Sequence, residues 1–150
     1  MTGVQTCALP ISPITRTFES KKQKGAEVDL SSVFANSVKK VVRTVILDQK
    51  DHLEVTDRLE TGDKEAAVSW IMVTPAEAKI TGKNRMELTK DGQRMLLTVD
   101  ADTEVEMKTW SNVPPHEYDF RNPGTIRVGF ETVIPANRAS QLKVRLIPLK

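Results

Sequence analysis

His116 and Tyr118 are two side chains whose types suit proton transfer, and they lie two positions apart. In an extended segment, residues at this spacing point to the same side of the backbone. A His and a Tyr held together can remove a proton from a substrate and return it. The pair follows Pro114 and Pro115, however, so a simpler interpretation is a loop packed on its own sheet or on another domain. We therefore predict His116 and Tyr118 to contact a substrate or a partner domain, and we predict no catalytic residue.

Trp110 and Arg121 lie near this segment and complete the set of candidate contact residues. Trp110 ends a predicted strand just before the loop, where an exposed indole ring can stack on a flat ligand. Arg121 supplies a cation at the far side of the same loop. Trp70, in contrast, alternates with Val68 and Met72 and is predicted to lie in the core.

Arg43 and Asp57 form the charged pair with the clearest structural meaning. If residues 41–47 fold back on residues 53–59, Leu47 faces Leu53 and Arg43 faces Asp57. A shift of one residue would turn the whole apolar set outward, so the register is well specified. A charge on an apolar face must be paired or reach water. We predict a structural, partly buried Arg43–Asp57 ion pair, rather than an arginine that binds a substrate carboxylate.

The carboxylates offer little support for a metal site. Asp100, Asp102, Glu104 and Glu106 share one parity, and their oxygens are of the kind that bind calcium. They lack the glycine turn and the spacing of a known calcium loop, so we interpret them as a solvated outer face. His52 lies in a turn without a second ligand at metal-binding spacing. We predict neither a metal site nor a cofactor in this chain.

The elements that position these residues are predicted to be strands. Valine, isoleucine and threonine are frequent, and apolar residues mostly alternate. Asp91-Gly92 is the strongest hairpin signal, and a two-residue turn there predicts that Lys90 pairs with Gln93 and Leu88 with Met95. Residues 30–40 form the only helix-like stretch, which Asn36 and Ser37 weaken. The pattern predicts an all-β antiparallel sandwich. Its predicted strands are 41–47, 53–60, 66–73, 78–80, 86–88, 103–110, 125–134 and 142–147.

Composition narrows the classes of partner. The chain has 22 basic and 20 acidic residues among 150, for a net charge of +2. Such a balance argues against nucleic acid or an anionic membrane surface as a partner. No apolar run approaches the roughly 18 residues that a membrane helix requires. The length suits a single domain, which we place at residues 13–150.

The first twelve residues, MTGVQTCALPIS, stand apart from the rest of the sequence. They carry no charge and no periodicity, and they match the translation of a common sequencing-library adapter. We expect them to be an artefact that takes no part in the fold. Cys7 is the only cysteine and lies inside this stretch, so the remaining sequence predicts no disulfide. On this interpretation the natural protein extends further upstream.

Several segments resemble the C-terminal sheet region of the heparinase II/III-like polysaccharide lyases. The resemblance covers nearly all of residues 13–150, and its motifs are diffuse and sheet-building. It is carried by segments 18–20, 29–34, 43–47, 53–57, 67–70, 116–118, 122–124, 128–130 and 144–148.

The resemblance implies a two-part enzyme, with an α/α toroid followed by a large antiparallel β-sandwich region. Such enzymes cleave uronic-acid polysaccharides, of glycosaminoglycan or alginate type, by β-elimination. The family's catalytic Tyr and His, and its zinc ligands, would lie upstream of this chain. Tyr118 does not match the family's catalytic tyrosine, and the family's His-Asn-Thr motif is absent from this sequence. The resemblance implies a non-catalytic C-terminal fragment whose partners are the upstream toroid and an acidic polysaccharide, in a periplasmic or secreted enzyme.

The sequence leaves two alternatives open. The first is a free-standing carbohydrate-binding or structural module, and the second, with less support, is a protein–protein adhesion domain. The coding sequence upstream discriminates between the lyase and the module. A toroid would favour the lyase, whereas a signal peptide or a different domain directly upstream would favour the module.

Overall fold

The computed structural model describes residues 12–150, which form strands joined by turns and loops. The first eleven residues, and with them nearly all of the adapter-like stretch, lie outside the described part. Eleven strands follow one another along the chain: β1 (Ile14–Glu19), β2 (Gln23–Asp29), β3 (Lys40–Asp48), β4 (Leu53–Glu60), β5 (Ala66–Thr74), β6 (Glu77–Gly82), β7 (Arg85–Lys90), β8 (Gln93–Ala101), β9 (Val105–Ser111), β10 (Ile126–Ile134) and β11 (Ala139–Leu149).

The strands form two antiparallel sheets. The large sheet has eight strands in the order β1-β2-β3-β4-β11-β8-β7-β6, and the small sheet has three in the order β5-β10-β9. The predicted all-β antiparallel sandwich is confirmed. Strand β11 joins two meanders, because it pairs with β4 on one side and with β8 on the other. In residues 12–150, no helix is long or apolar enough to span a bilayer.

Two hairpins have the registers that the sequence predicts. In the first, Leu47 pairs with Leu53 and Arg43 pairs with Asp57. In the second, Lys90 pairs with Gln93 across a turn in which both Asp91 and Gly92 have positive φ, at 50° and 75°. This is the type I′ geometry that matches the twist of the flanking strands. Local sequence signals therefore determine both hairpins.

The core lies between the two sheets. Phe130, Ile134 and Val128 of β10 are fully buried against the large sheet, which contributes Met86 and Leu97. Trp70 is buried as predicted, and its ring stacks on Phe130 with the ring planes 6° apart and the centroids 6.1 Å apart. Apolar side chains alternate with polar ones along each of these strands, so a single face of each sheet is buried.

Residues 30–40 are not a helix, which corrects the helix-like interpretation. They form successive turns that end in β3, closed by a hydrogen bond from the Leu30 amide to the Val41 carbonyl. The Ser31 amide donates to the Asp29 carboxylate, and the Val41 amide donates to the Ser31 hydroxyl. These side-chain bonds compete with helical hydrogen bonding and pin the two ends of the segment together. The segment is a compact loop between β2 and β3.

Candidate functional site: the loop between strands β9 and β10

The loop of residues 112–125 connects two strands of the small sheet and is closed at its base. The amide group of Asn112 donates to the Thr125 hydroxyl at 2.7 Å, and that hydroxyl donates to the Asn122 carbonyl at 2.7 Å. The Arg127 side chain donates to the Ser111 carbonyl at 2.9 Å. These bonds fix the loop where it leaves the sheet, and its tip projects beyond the sheet.

His116 and Tyr118 lie together at this tip. The Asp119 amide donates to the His116 carbonyl, so the backbone turns here and is not extended. The two rings nevertheless face each other, with centroids 5.0 Å apart and an interplanar angle of 11°. Within residues 12–150 neither side chain makes a hydrogen bond, and no carboxylate orients the imidazole. The pair forms a flat aromatic surface and lacks the geometry by which a base is positioned for proton transfer.

The loop tip exposes more apolar surface than the sequence indicates. Val113, Tyr118 and Phe120 are 78, 83 and 86% exposed. Beside them lies an open cleft of about 380 Å³ whose lining includes His116 and Arg121. Several exposed apolar side chains within one short loop suit an interaction surface. We call this group (Val113, His116, Tyr118, Phe120 and Arg121) the loop-tip patch.

Trp110 does not belong to the loop-tip patch. It lies in β9 directly opposite Arg127 of β10, on the outer face of the small sheet, and it is half-buried. It does not line the cleft that His116 and Arg121 share. The structure thus brings together three of the four predicted contact residues and places Trp110 on the neighbouring sheet surface.

Arg43 and Asp57 form the predicted cross-strand ion pair. Nε and Nη2 of Arg43 donate to the two carboxylate oxygens of Asp57, both at 2.7 Å. The hydrogen bonds to Asp57 raise the pKa of Arg43, and partial burial opposes this change. The two parallel hydrogen bonds are the bidentate geometry of an arginine–carboxylate pair.

The four acidic residues of equal parity, Asp100, Asp102, Glu104 and Glu106, are exposed, and three of them form ion pairs. Glu104 pairs with Lys83 at 3.0 Å, Glu106 with Lys108 at 3.1 Å, and Asp102 with Arg138 at 3.6 Å. Within the described residues, no three His, Cys, Asp or Glu side chains converge in a way that would hold a metal ion.

The sequence interpretation missed Phe120 and Val113, although both stand beside residues that it singled out. Their exposure has no periodic signature, because a long loop between strands follows neither the strand nor the helix repeat. The available signal was composition alone: apolar side chains within a Pro- and Asn-rich loop, where solvated side chains are the norm.

No protein-family model matches the sequence, and no curated protein is significantly similar to it. Solved structures do match. A crystal structure of heparinase III superposes with a TM-score of 0.68 at 13% identity, over 92% of this chain and 21% of that one. A mutant of the heparan sulfate lyase HepC from Pedobacter heparinus superposes with a TM-score of 0.64 at 16% identity, over 93% and 22%. The chain spans about a fifth of the length of these enzymes, and it has a heparinase-like β fold.

Proposed function

We propose that residues 13–150 are a non-catalytic C-terminal β-sheet region of a lyase that cleaves uronic-acid polysaccharides by β-elimination. The observation that carries the proposal is the superposition on heparinase III, which covers 92% of this chain but only 21% of that enzyme. A second support is chemical. The one His–Tyr pair of the described residues is a solvent-exposed stack and has no partner that would orient a general base.

The loop-tip patch suits a contact with the rest of such an enzyme. Three large apolar side chains at more than three-quarters exposure are an unusual feature of a free surface. Arg121 adds a cation that suits either a carboxylate of an upstream toroid domain or an acidic polysaccharide. We place the parent enzyme in the periplasm or outside the cell, where such polysaccharides are met, and a signal peptide upstream would support this location.

The proposal is tested with heparan sulfate, heparin and alginate, by following the ultraviolet absorbance of the unsaturated uronate that β-elimination creates. We expect no product from the 150-residue chain and turnover of one substrate by the complete reading frame to which it belongs. Turnover by the short chain would contradict the proposal, because it would place the reaction within these residues. Tyr118→Phe in the complete protein should turn over at the wild-type rate, since Tyr118 has no role in proton transfer.

A free-standing carbohydrate-binding module is the second candidate, and the stacked His116 and Tyr118 rings favour it. Flat exposed aromatic surfaces stack on sugar rings in many binding proteins. Calorimetric titration of the 150-residue chain with heparin oligosaccharides separates the two functions. A binding module would show saturable heat that Tyr118→Phe preserves and Tyr118→Ala removes. A sheet region that depends on the rest of the enzyme would show no heat with either variant.

A further inference from the structure

Strand β5 is an edge strand with an unusual composition. It pairs with β10 on one side, and within residues 12–150 no strand pairs with its other side. Its nine residues, AAVSWIMVT, include no charge and no proline. Proteins that leave an edge strand open usually protect it with lysine, proline or a bulge. None of these devices is present in β5, so its sequence is that of a paired strand.

The backbone geometry shows which groups of β5 face the open side. A Cβ added to Gly129 of β10 would lie 1.9 Å from the carbonyl oxygen of Trp70, so that carbonyl points towards β10. In an antiparallel pair, the backbone groups of successive residues point alternately to the two sides. The N–H and C=O groups of Ser69 and Ile71 therefore face the open edge, together with those of Ala67 and Val73.

A trough runs beneath this edge. It has a volume of about 270 Å³ and lies between residues 66–70 of β5, the β3–β4 hairpin and the loop between β2 and β3. Its lining is mainly apolar and includes Leu30, Val41 and Trp70, together with the Arg43–Asp57 ion pair. The buried Nε1 of Trp70 has no hydrogen-bond partner among the described residues. The trough thus offers mainly apolar walls, one internally paired arginine and aspartate, and one buried donor without an acceptor.

The two sheets also differ greatly in width. At about 4.8 Å between strands, eight strands span roughly 34 Å and three span roughly 10 Å. Residues of β5 line the trough together with residues of β3 and β4, and no residue of β1 or β2 lines it, so β1 and β2 lie beyond the open edge of β5. The inner face of this overhang carries the half-buried apolar residues Ala26 and Val28, and Ala26 pairs with Val45 of β3. A layer that continued the small sheet past β5 would cover them.

We propose that an extended segment from outside these 150 residues pairs with the open edge of β5 and continues the small sheet over β1 and β2. The inference rests on the proposed function, because the heparinase III structures are almost five times as long as the matched region and so provide the chain. Every second side chain of the segment would be apolar and would enter the trough, while its backbone pairs with Ser69 and Ile71.

A second copy of the chain fits this edge poorly. Two β5 strands that pair antiparallel are related by a two-fold axis perpendicular to the sheet. That axis keeps both large sheets on the same side. The overhanging β1 and β2 strands of the two copies would then occupy the same space. A single added strand fits in the space beside β5 and over β1 and β2, whereas a whole second sandwich does not.

Amide hydrogen exchange tests the proposal on two proteins, the 150-residue chain and the complete reading frame. The amides of Ser69 and Ile71 should exchange roughly 100-fold more slowly in the complete protein, since only there are they paired. The amide of Trp70 faces β10 and serves as an internal control that should be protected in both. Ser69→Pro removes one open-edge N–H and should lower the melting temperature of the complete protein only, whereas Ser69→Thr should have no effect.

Three results would overturn the proposal. Equal, fast exchange of Ser69 and Ile71 in both proteins would show that the edge stays open. Protection that disappears on dilution would identify a second copy as the occupant. Protection in the short chain that is lost when residues 2–11 are removed would identify a segment of this chain. Lyase activity of the complete protein is measured separately. Turnover together with an open β5 edge would contradict only this inference, and a protected edge without turnover would contradict only the proposed function.

Discussion

At the scale of single residues, the two partners of the Arg43–Asp57 pair differ in their exposure to solvent. The Asp57 side chain is 7% exposed, whereas that of Arg43 is 38% exposed and reaches solvent. A charge left without its partner costs more free energy where water cannot reach it. The cost of breaking this pair therefore depends on which partner is removed.

We expect Arg43→Met to lower the free energy of unfolding by about 3 kcal/mol, because it leaves the Asp57 carboxylate buried without a counter-charge. Asp57→Asn should cost only about 1 kcal/mol, since the amide oxygen still accepts one hydrogen bond and Arg43 can turn towards water. Urea denaturation of both variants measures the difference. Equal losses would mean that solvent reaches both charges alike.

Glu87 provides the clearest pH dependence. The hydrogen bonds from Arg94, both 2.8 Å, hold the pKa of Glu87 below its ordinary value of 4.5, against a smaller opposing effect of burial. A carboxylate with a lowered folded-state pKa stabilises the fold above its unfolded pKa, and this contribution is lost as the pH falls through the lowered value. Glu87→Gln should therefore be less stable than wild type near neutral pH. The two unfolding curves should converge once the pH lies below the lowered pKa of Glu87, and a difference that persists in strong acid would contradict the assignment.

At the scale of elements, two glycines are required for different reasons. Gly92 has positive φ in the type I′ turn, and a Cβ there would meet no atom within 4 Å. Gly129 lies where β10 approaches β5, and a Cβ there would overlap the Trp70 carbonyl. The first requirement is a property of the turn backbone, and the second is a property of strand packing.

We expect Gly92→Ala to cost about 1 kcal/mol, the penalty of left-handed backbone for a residue with a side chain. Gly129→Ala should cost at least about 3 kcal/mol, because backbone atoms of β5 must move. Guanidinium denaturation gives both values. A loss at Gly129 no larger than at Gly92 would show that β5 yields easily, as a weakly held edge would.

Sequence patterns predict the hairpins well and the sheet order poorly. The β3–β4 register follows from matching apolar and charged residues across one short turn, and Asp91-Gly92 specifies β7–β8 directly. The insertion of β11 between β4 and β8 depends on contacts between distant segments, which leave no local signature. Strands β1 and β2 were absent from the predicted strands because residues 19–24 are polar and mask their alternation. Residue type located His116, Tyr118 and Arg121 of the loop-tip patch, but the stacking of the two rings depends on a turn that the spacing does not reveal.

At the scale of the whole molecule, the first and last strands, β1 and β11, contribute very differently to the stability of the fold. Strand β1 is an edge strand with mostly exposed side chains. Strand β11 lies in the middle of the large sheet, where Leu142, Val144 and Leu146 are buried. Fully burying each such side chain contributes about 2 kcal/mol.

Removal of residues 139–150 should abolish the cooperative thermal transition, because β4 and β8 lose their shared neighbour. Removal of residues 12–20 should leave a cooperative transition at a slightly lower temperature. Circular dichroism melts of the two truncated chains make a matched comparison, since each lacks one strand of the same sheet. A folded chain without β11 would show that the two meanders are stable apart.

The central place of β11 bears on how the molecule is made. A ribosome releases the chain from its amino end, so both meanders emerge before the strand that unites them. Until residues 139–149 are available to pair, β4 and β8 each present an unpaired edge to solvent. During this interval, binding by chaperones competes with aggregation through the unpaired edges. The yield of native protein is therefore expected to rise as the interval becomes shorter.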